Sequence, residues 1–322
     1  MEKRQFLSTI LFYIKKIITN LLPLFIVKYI YKLKNKSVSM ETLSYNRFQD
    51  MSFHIRKSIP QLPYDIDLVV GIPRSGMIPA YMIALFMNKP CCSLTELKNG
   101  ILPENGNRQI NATNNFQKIL IVDDSVSSGT AINKAKYNIE ALNIPQKILY
   151  YSVFVTENAK DFVDYYGVIT DPFRIFQWNY CNHSILHDTC IDIDGVLCID
   201  PTEEENDDGD LYRNFLINAK PLYIPKIEIY ALVTSRLEKY RHETESWLKR
   251  NNVKYKKLIM LDLPDAATRQ KLNFHAQFKA QIYKKDKRAK LFIESNDRQA
   301  REIAQLSHKP CICIETDSIY RG

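Results

Sequence analysis

A chain of 322 residues, 45% hydrophobic and 25% charged, is too long for one small core and suits two domains of ordinary size. Nine glycines and 14 prolines exclude a collagen-like or low-complexity chain, and 19 Tyr with 15 Phe argue against global disorder. The formal charge of +8 sits at the front: eight basic residues and one acid between Met1 and Lys36 give +7, leaving about +1 for the other 286 residues. A nucleic-acid protein more often spreads positive charge over a folded face, and no aromatic-basic interleaving supports one here, so no nucleic-acid partner is expected. The seven cysteines (91, 92, 181, 190, 198, 311 and 313) show no zinc spacing with matching histidines and read as reduced thiols in a cytosolic compartment.

The first predicted element is an apolar, basic arm over residues 1–38. Runs 6–14 (FLSTILFYI) and 17–27 (IITNLLPLFIV) are divided by Lys15 and Lys16. Neither run approaches the roughly 20 apolar residues of a spanning helix, and no small-residue cleavage site marks a secretory signal. Lysines around apolar stretches suit an amphipathic helix in the headgroup plane, with ammonium groups on acidic lipid phosphates. Pro23 would kink or end that helix. This implies a cytoplasmic protein, peripheral on the inner face of the membrane. The alternative is an arm packed on the chain's own core or on a second subunit, so an oligomer is compatible with the sequence.

From about residue 40 strands alternate with helices. Residues 67–70 (DLVV) form a short strand, followed by the loop 71–76 (GIPRSG) and a helical stretch from Met77 to Met87. Residues 118–122 (KILIV) read as a second strand, followed by 123–130 (DDSVSSGT), a helix over about 131–142 and a third strand over 148–155. The alternation predicts a parallel α/β sheet with ligands at the carboxyl ends of its strands. Adjacent carboxylates at a strand end can accept hydrogen bonds from vicinal sugar hydroxyls. The hydroxyls and backbone N–H groups of Ser127, Ser128, Gly129 and Thr130, opening a helix, suit a phosphate. An N-capped helix after an acidic turn is the plainer reading of the same residues.

The segment ILIVDDSVSSGTA resembles the phosphate loop of the type I phosphoribosyltransferases, and the resemblance spans roughly residues 40–175. It implies phosphoribosyl pyrophosphate (PRPP) with Mg2+ as donor. Asp123 and Asp124 would hold the ribose hydroxyls, Ser127, Ser128, Gly129 and Thr130 the 5-phosphate, and Arg74, Ser75 and Gly76 the pyrophosphate. The polar segment 95–116 sits where the family has a mobile catalytic flap, with Lys98 and Arg108 as further pyrophosphate contacts. Purine-salvage members usually carry an acid where this chain has Ser127, and position 131 is Ala rather than a hydroxyl residue, which argues against a purine acceptor.

After Trp178 a second unit begins. Residues 187–197 (HDTCIDIDGVL) read as a strand running into a tight acidic turn at Gly195. Asp192 could attack a phosphoryl group while Asp194 gives and takes a proton. Residues 230–236 (YALVTSR) form a strand ending in hydroxyls, Lys279 lies in a basic amphipathic stretch, and 291–297 (LFIESND) is a strand ending in acids. These pieces, in this order, resemble the haloacid-dehalogenase-like (HAD) phosphatases over about 186–320. The resemblance implies Asp192 as nucleophile, Asp194 as acid/base, Thr234 ahead of Ser235 as the phosphate-binding hydroxyl and Lys279 ahead of Lys284 and Lys285 as the third-motif lysine. It also implies Mg2+ held by Asp192, Asp194 and Glu294, with Asp297 behind Glu294. Between Gly195 and Tyr230 there is room only for a small cap, and the acid run Glu203–Asp208 reads as a solvated loop.

The expected architecture is α/β: a phosphoribosyltransferase domain over 39–178 and a HAD-like domain over 179–322, both Rossmann-like with mainly parallel sheets, behind the helical arm. The fusion suggests 5-phosphoribosyl transfer from PRPP, then loss of the 5-phosphate to leave a ribofuranosyl residue. The arm points to a glycan or lipid-linked acceptor in surface-polysaccharide synthesis. A nucleoside-like metabolite, or a PRPP-sensing domain joined to a phosphatase, are the alternatives.

Overall fold

The computed structural model describes residues 43–101, 116–272 and 274–322. The N-terminal arm, and most of the segment 95–116 with Arg108, lie outside the described residues. No helix among the described residues is long and apolar enough to cross a membrane.

The front part of the chain runs β1 (Ser44–Asn46), α1 (Phe48–Ser58), β2 (Leu68–Gly71), α2 (Met77–Met87), β3 (Cys91–Ser93), α3 (Leu94–Lys98), β4 (Lys118–Val126), α4 (Thr130–Glu140), β5 (Lys147–Val155), β6 (Tyr165–Ile169) and β7 (Arg174–Phe176). Five strands form a sheet in the order β3-β2-β4-β5-β6, every pair parallel. Leu68, Val70, Ile119 and Ile121 face a core shared with Ala135 and Ile139 of α4. Val69, Leu120 and Val122 face the opposite core, with Ile55 of α1 and Ile83 of α2. Both faces are covered, so these strands read as unbroken apolar runs rather than as an alternation. Strand β4 does not stop at Val122. Asp123 pairs with Ser152 and Val126 with Val155, so the acidic pair lies within the paired strand.

The remaining elements are β8 (Thr189–Ile191), α5 (Asp210–Asn218), β9 (Ile229–Leu237), α6 (Arg241–Arg250), β10 (Tyr255–Leu261), α7 (Ala266–Leu272), α8 (His275–Lys285), β11 (Leu291–Glu294), α9 (Asp297–Ser307), β12 (Cys311–Cys313) and β13 (Ser318–Tyr320). They build a second sheet, in the order β10-β9-β8-β11-β12-β13, parallel except between β12 and β13. Ile191, Leu232, Ile293 and Ile312 face one core; Cys190, Ala231, Val233, Phe292 and Cys311 face the other. Strands β1 and β7 pair in parallel as a ribbon, and it inserts Leu43 and Ile175 into the first of these cores. All seven cysteines are free.

Strand order locates the crevices. The chain leaves β2 for β3 on one side and returns to β4 on the other. It leaves β8 for β9 and β10, then crosses back to β11. At such reversals the loops part at the carboxyl ends of the strands and leave room for a ligand. The first reversal lies between β2 and β4, the second between β9, β8 and β11.

Candidate functional sites

At the first reversal the loop after β2 meets β4. Ser75 Oγ donates to Asp124 Oδ1 at 2.8 Å. A Cβ on Gly76 would stand 2.6 Å from the Ile72 carbonyl oxygen and 2.7 Å from that of Val122. Glycine therefore lets the loop close onto β4. The Pro73–Arg74 peptide bond is cis. The other oxygen of Asp124 accepts the Trp178 indole N–H at 2.8 Å. Asp123 is 5% exposed, and its Oδ1 accepts the Asp124 backbone N–H at 2.9 Å. Burial, reinforced by the neighbouring Asp124, pushes the Asp123 carboxyl up to about 8.

Ser75, Gly76, Asp123 and Asp124 are thus brought into one cluster. Ser128 Oγ and Thr130 Oγ1 lie 2.9 Å apart, exposed at the start of α4, and bond to each other rather than to the acids. Ser127 is half-buried and its carbonyl accepts from Thr156 Oγ1 at 3.4 Å, while Gly129 is the N-cap of α4. Arg74 and Lys98 are exposed. Two residues of this region gave no signal in the sequence. Trp178 reaches Asp124 from beyond β7, and buried Arg174 donates to Ser125 Oγ from Nε at 3.0 Å and from Nη2 at 2.7 Å. Both contacts depend on the β1–β7 ribbon, which no local pattern announces.

At the second reversal lies a cavity of about 530 Å³ lined by Asp192, Asp194, Thr234, Lys279 and Glu294 among others. Lys279 is 1% exposed, and its Nζ donates to Asp192 Oδ2 at 2.5 Å, Glu294 Oε2 at 2.7 Å and Gln299 Oε1 at 2.9 Å. Asp192 Oδ1 accepts the Ile193 N–H at 2.8 Å. Burial, with the charges of Glu294 and Asp194, raises Asp192 to about 7 against the pull of Lys279. Burial also acts to lower Lys279, but Asp192 and Glu294 outweigh it and keep the ammonium charged. Thr234 Oγ1 accepts the Arg236 N–H at 3.3 Å. Lys284 and Lys285 are exposed, Lys284 donating to the Leu306 carbonyl, and Asp297 is taken up by Arg301 and Tyr320. Gly195 turns the chain at φ +71° where a Cβ would strike Ser295 Oγ.

Asp194 is held from behind. The Arg236 guanidinium, 1% exposed, donates to it from Nη2 at 2.6 Å and from Nε at 3.1 and 3.2 Å. Burial works against the Arg236 charge and Asp194 more than restores it. The sequence pattern stopped at the hydroxyls of 230–236 and missed this arginine; its place two residues past Thr234 is the signal it did carry. The acid run is only partly a solvated loop. Asp207 Oδ1 accepts the N–H groups of Gly209 and Tyr212 at the start of α5, and Asp208 ties Tyr240, Lys239 and Ala266 together.

Among the described residues no three carboxylates, imidazoles or thiols converge as a metal site. The donor chemistry nevertheless fits a hard divalent cation. Asp192, Asp194, Asp200, Glu294 and Glu315 line the cavity against Lys279, Arg236 and Arg269, a surplus of acids offering oxygen ligands. Burial and the nearby Arg269 and Lys279 lower His275 to about 4, so it adds no charge at neutral pH.

The architecture is thus mixed α/β with two mainly parallel sheets, each presenting paired carboxylates at a reversal of strand order. No family model matches the chain, and no curated protein does. Among solved structures it is similar to a purine phosphoribosyltransferase from Pyrococcus horikoshii Ot3, at 18% identity over 42% of this chain and 94% of that one, with a TM-score of 0.33. It is also similar to the xanthine-guanine-hypoxanthine phosphoribosyltransferase of Helicobacter pylori, at 16% identity over 43% of this chain and 92% of that one, TM-score 0.34. Against the orotate phosphoribosyltransferase of Aeropyrum pernix the figures are 16% identity, 34% of this chain, 59% of that one and a TM-score of 0.25.

Proposed function

We propose that the chain transfers a 5-phosphoribosyl group from PRPP to an acceptor and then removes the 5-phosphate. The reading takes residues 39–178 as a type I phosphoribosyltransferase-like domain and 179–322 as a HAD-like phosphatase. The observation that carries it is the pairing of two such sites in one chain: an acid pair bonded to the Ser75 loop, and an aspartate–lysine–glutamate cluster in a cavity.

In the first site Asp123 and Asp124 hold the ribose hydroxyls, Ser127, Ser128, Gly129 and Thr130 the 5-phosphate, and Arg74, Ser75 and Gly76 the pyrophosphate. The acceptor hydroxyl oxygen bonds to the anomeric carbon as the bond to pyrophosphate breaks; the electron pair leaves with the pyrophosphate, and the hydroxyl proton is released to it. Each carboxylate oxygen has more than one acceptor direction, so the Ser75 and Trp178 bonds leave Asp124 able to take a hydroxyl. In the second site an Asp192 oxygen bonds to phosphorus, and the ester oxygen leaves with its electron pair and a proton from Asp194. Water then attacks phosphorus, Asp194 recovers the proton, and phosphate departs from Asp192. Thr234 and Lys279 hold the phosphoryl oxygens. Mg2+, for which Asp192, Asp194 and Glu294 are the fitting donors, supplies charge neutralisation when bound.

The acceptor in this reading is a glycan or lipid-linked sugar at the inner face of the membrane, supported by the charge and apolar pattern of residues 1–38. The test is incubation with PRPP and a panel of polysaccharides, lipid-linked oligosaccharides, free bases and nucleosides. A ribosylated glycan with release of pyrophosphate and phosphate is expected. Reaction of bases or nucleosides alone contradicts the glycan assignment.

A further inference from the structure

The mechanism above leaves one cation in the cavity without a task. Arg269, on α7, lines the cavity and is 6% exposed. Its Nη1 donates to the Ser235 carbonyl at 3.2 Å and its Nη2 to Asn206 Oδ1 at 3.1 Å. Among the described residues its Nε is buried with no hydrogen-bond partner, and so is the hydroxyl of Ser235, itself 9% exposed. A buried donor left unpaired carries its full desolvation cost, and two on one cavity wall call for an acceptor between them. Both groups can donate, and the guanidinium is permanently charged, so the complementary ligand group is an anion. The transferred phosphoryl group already has Asp192, Thr234 and Lys279. Asn206 and Tyr212, from the segment between Gly195 and Tyr230, also line the cavity, and Asn206 shares the same guanidinium.

We propose that Arg269 and Ser235 form a second anion subsite, so that this cavity selects phosphomonoesters whose leaving group carries a carboxylate or a further phosphate. This rests on the phosphatase reading of the cavity. It narrows the acceptor to one that bears a negative group close to the ribosylated position.

The test compares matched substrates with the full chain: 3-phosphoglycerate against glycerol 3-phosphate for a carboxylate, and ribose 1,5-bisphosphate against ribose 5-phosphate for a phosphate. Wild type is expected to favour the doubly anionic member of at least one pair by about tenfold to a hundredfold in kcat/KM, the worth of a buried charge-assisted contact. Arg269→Met and, independently, Ser235→Ala should lower kcat/KM for that member alone, and Arg269→Lys should keep part of the preference. Equal kcat/KM within both pairs overturns the subsite and leaves the phosphatase standing. Equal slowing of both members by Arg269→Met and Ser235→Ala also overturns it, since a structural role or contact with the transferred phosphoryl group acts on both. Hydrolysis of none of the four removes the phosphatase reading and the subsite with it.

Discussion

Replacing Lys279 by Met keeps most of the apolar stem and removes the ammonium that buried Asp192 and Glu294 share with half-buried Gln299. Asp192 and Glu294 lie 2.5 and 2.7 Å from it, at 5% and 0% exposure, so water in the cavity reaches them poorly and replaces little of what the ammonium supplies. Losing one partner of a buried ion pair costs about 3–5 kcal/mol, because the remaining charge stays buried and uncompensated. The pH dependence has a definite sign. Asp192 is already raised to about 7, and Lys279 is the principal influence lowering it, so the variant's Asp192 rises further. A carboxyl whose folded value lies above its unfolded one loses stability as pH climbs between the two. Urea unfolding of Lys279→Met should therefore show the full loss at pH 8 and a clearly smaller one at pH 5.5, where Asp192 carries a proton. A loss below about 1 kcal/mol, or the same loss at both pH values, would refute the reasoning.

The same linkage applies to Asp123, raised to about 8 by burial and by Asp124. Its native state binds the proton more tightly than the unfolded chain, so wild type should lose stability between about pH 4 and pH 8. Asp123→Asn keeps the acceptor for the Asp124 N–H and should be more stable than wild type by on the order of 2–4 kcal/mol at pH 7, with the gap narrowing at pH 5 and closing by about pH 4 in calorimetric scans. A gap that widens on acidification contradicts the assignment. Gly76→Ala places a Cβ against two backbone carbonyls 2.6 and 2.7 Å away. It should cost about 1–3 kcal/mol in unfolding and, by pushing the Ser75 loop off Asp124, weaken PRPP binding in titration calorimetry by at least about tenfold.

Much of this frame is legible in the sequence because parallel, doubly buried strands announce themselves. The apolar runs 68–70 (LVV), 119–122 (ILIV) and 291–293 (LFI) lead straight into glycine or acids, and the helix Met77–Met87 has the expected bounds. The short strands Ser44–Asn46, Cys91–Ser93 and Arg174–Phe176 carry no period long enough to read, and they form only because a neighbouring strand offers pairing. The candidate residues adjacent to strand ends were legible as candidates for the same reason. Arg236, Arg269, Arg174 and Trp178 were not, since each acts through a contact across the fold: Arg236 on Asp194, Arg269 on Asn206, Arg174 on Ser125, Trp178 on Asp124. A lone arginine or tryptophan has no periodicity, and its partner is set by topology.

The central claim, that one half attaches a sugar phosphate which the other half strips, is tested most directly by mass spectrometry of the acceptor after reaction with PRPP. Wild type should yield a product carrying a bare pentosyl group, and Asp192→Asn the same product heavier by one phosphate. Identical product masses from the two proteins, or an Asp123→Ala, Asp124→Ala double variant that still forms either product, would contradict it.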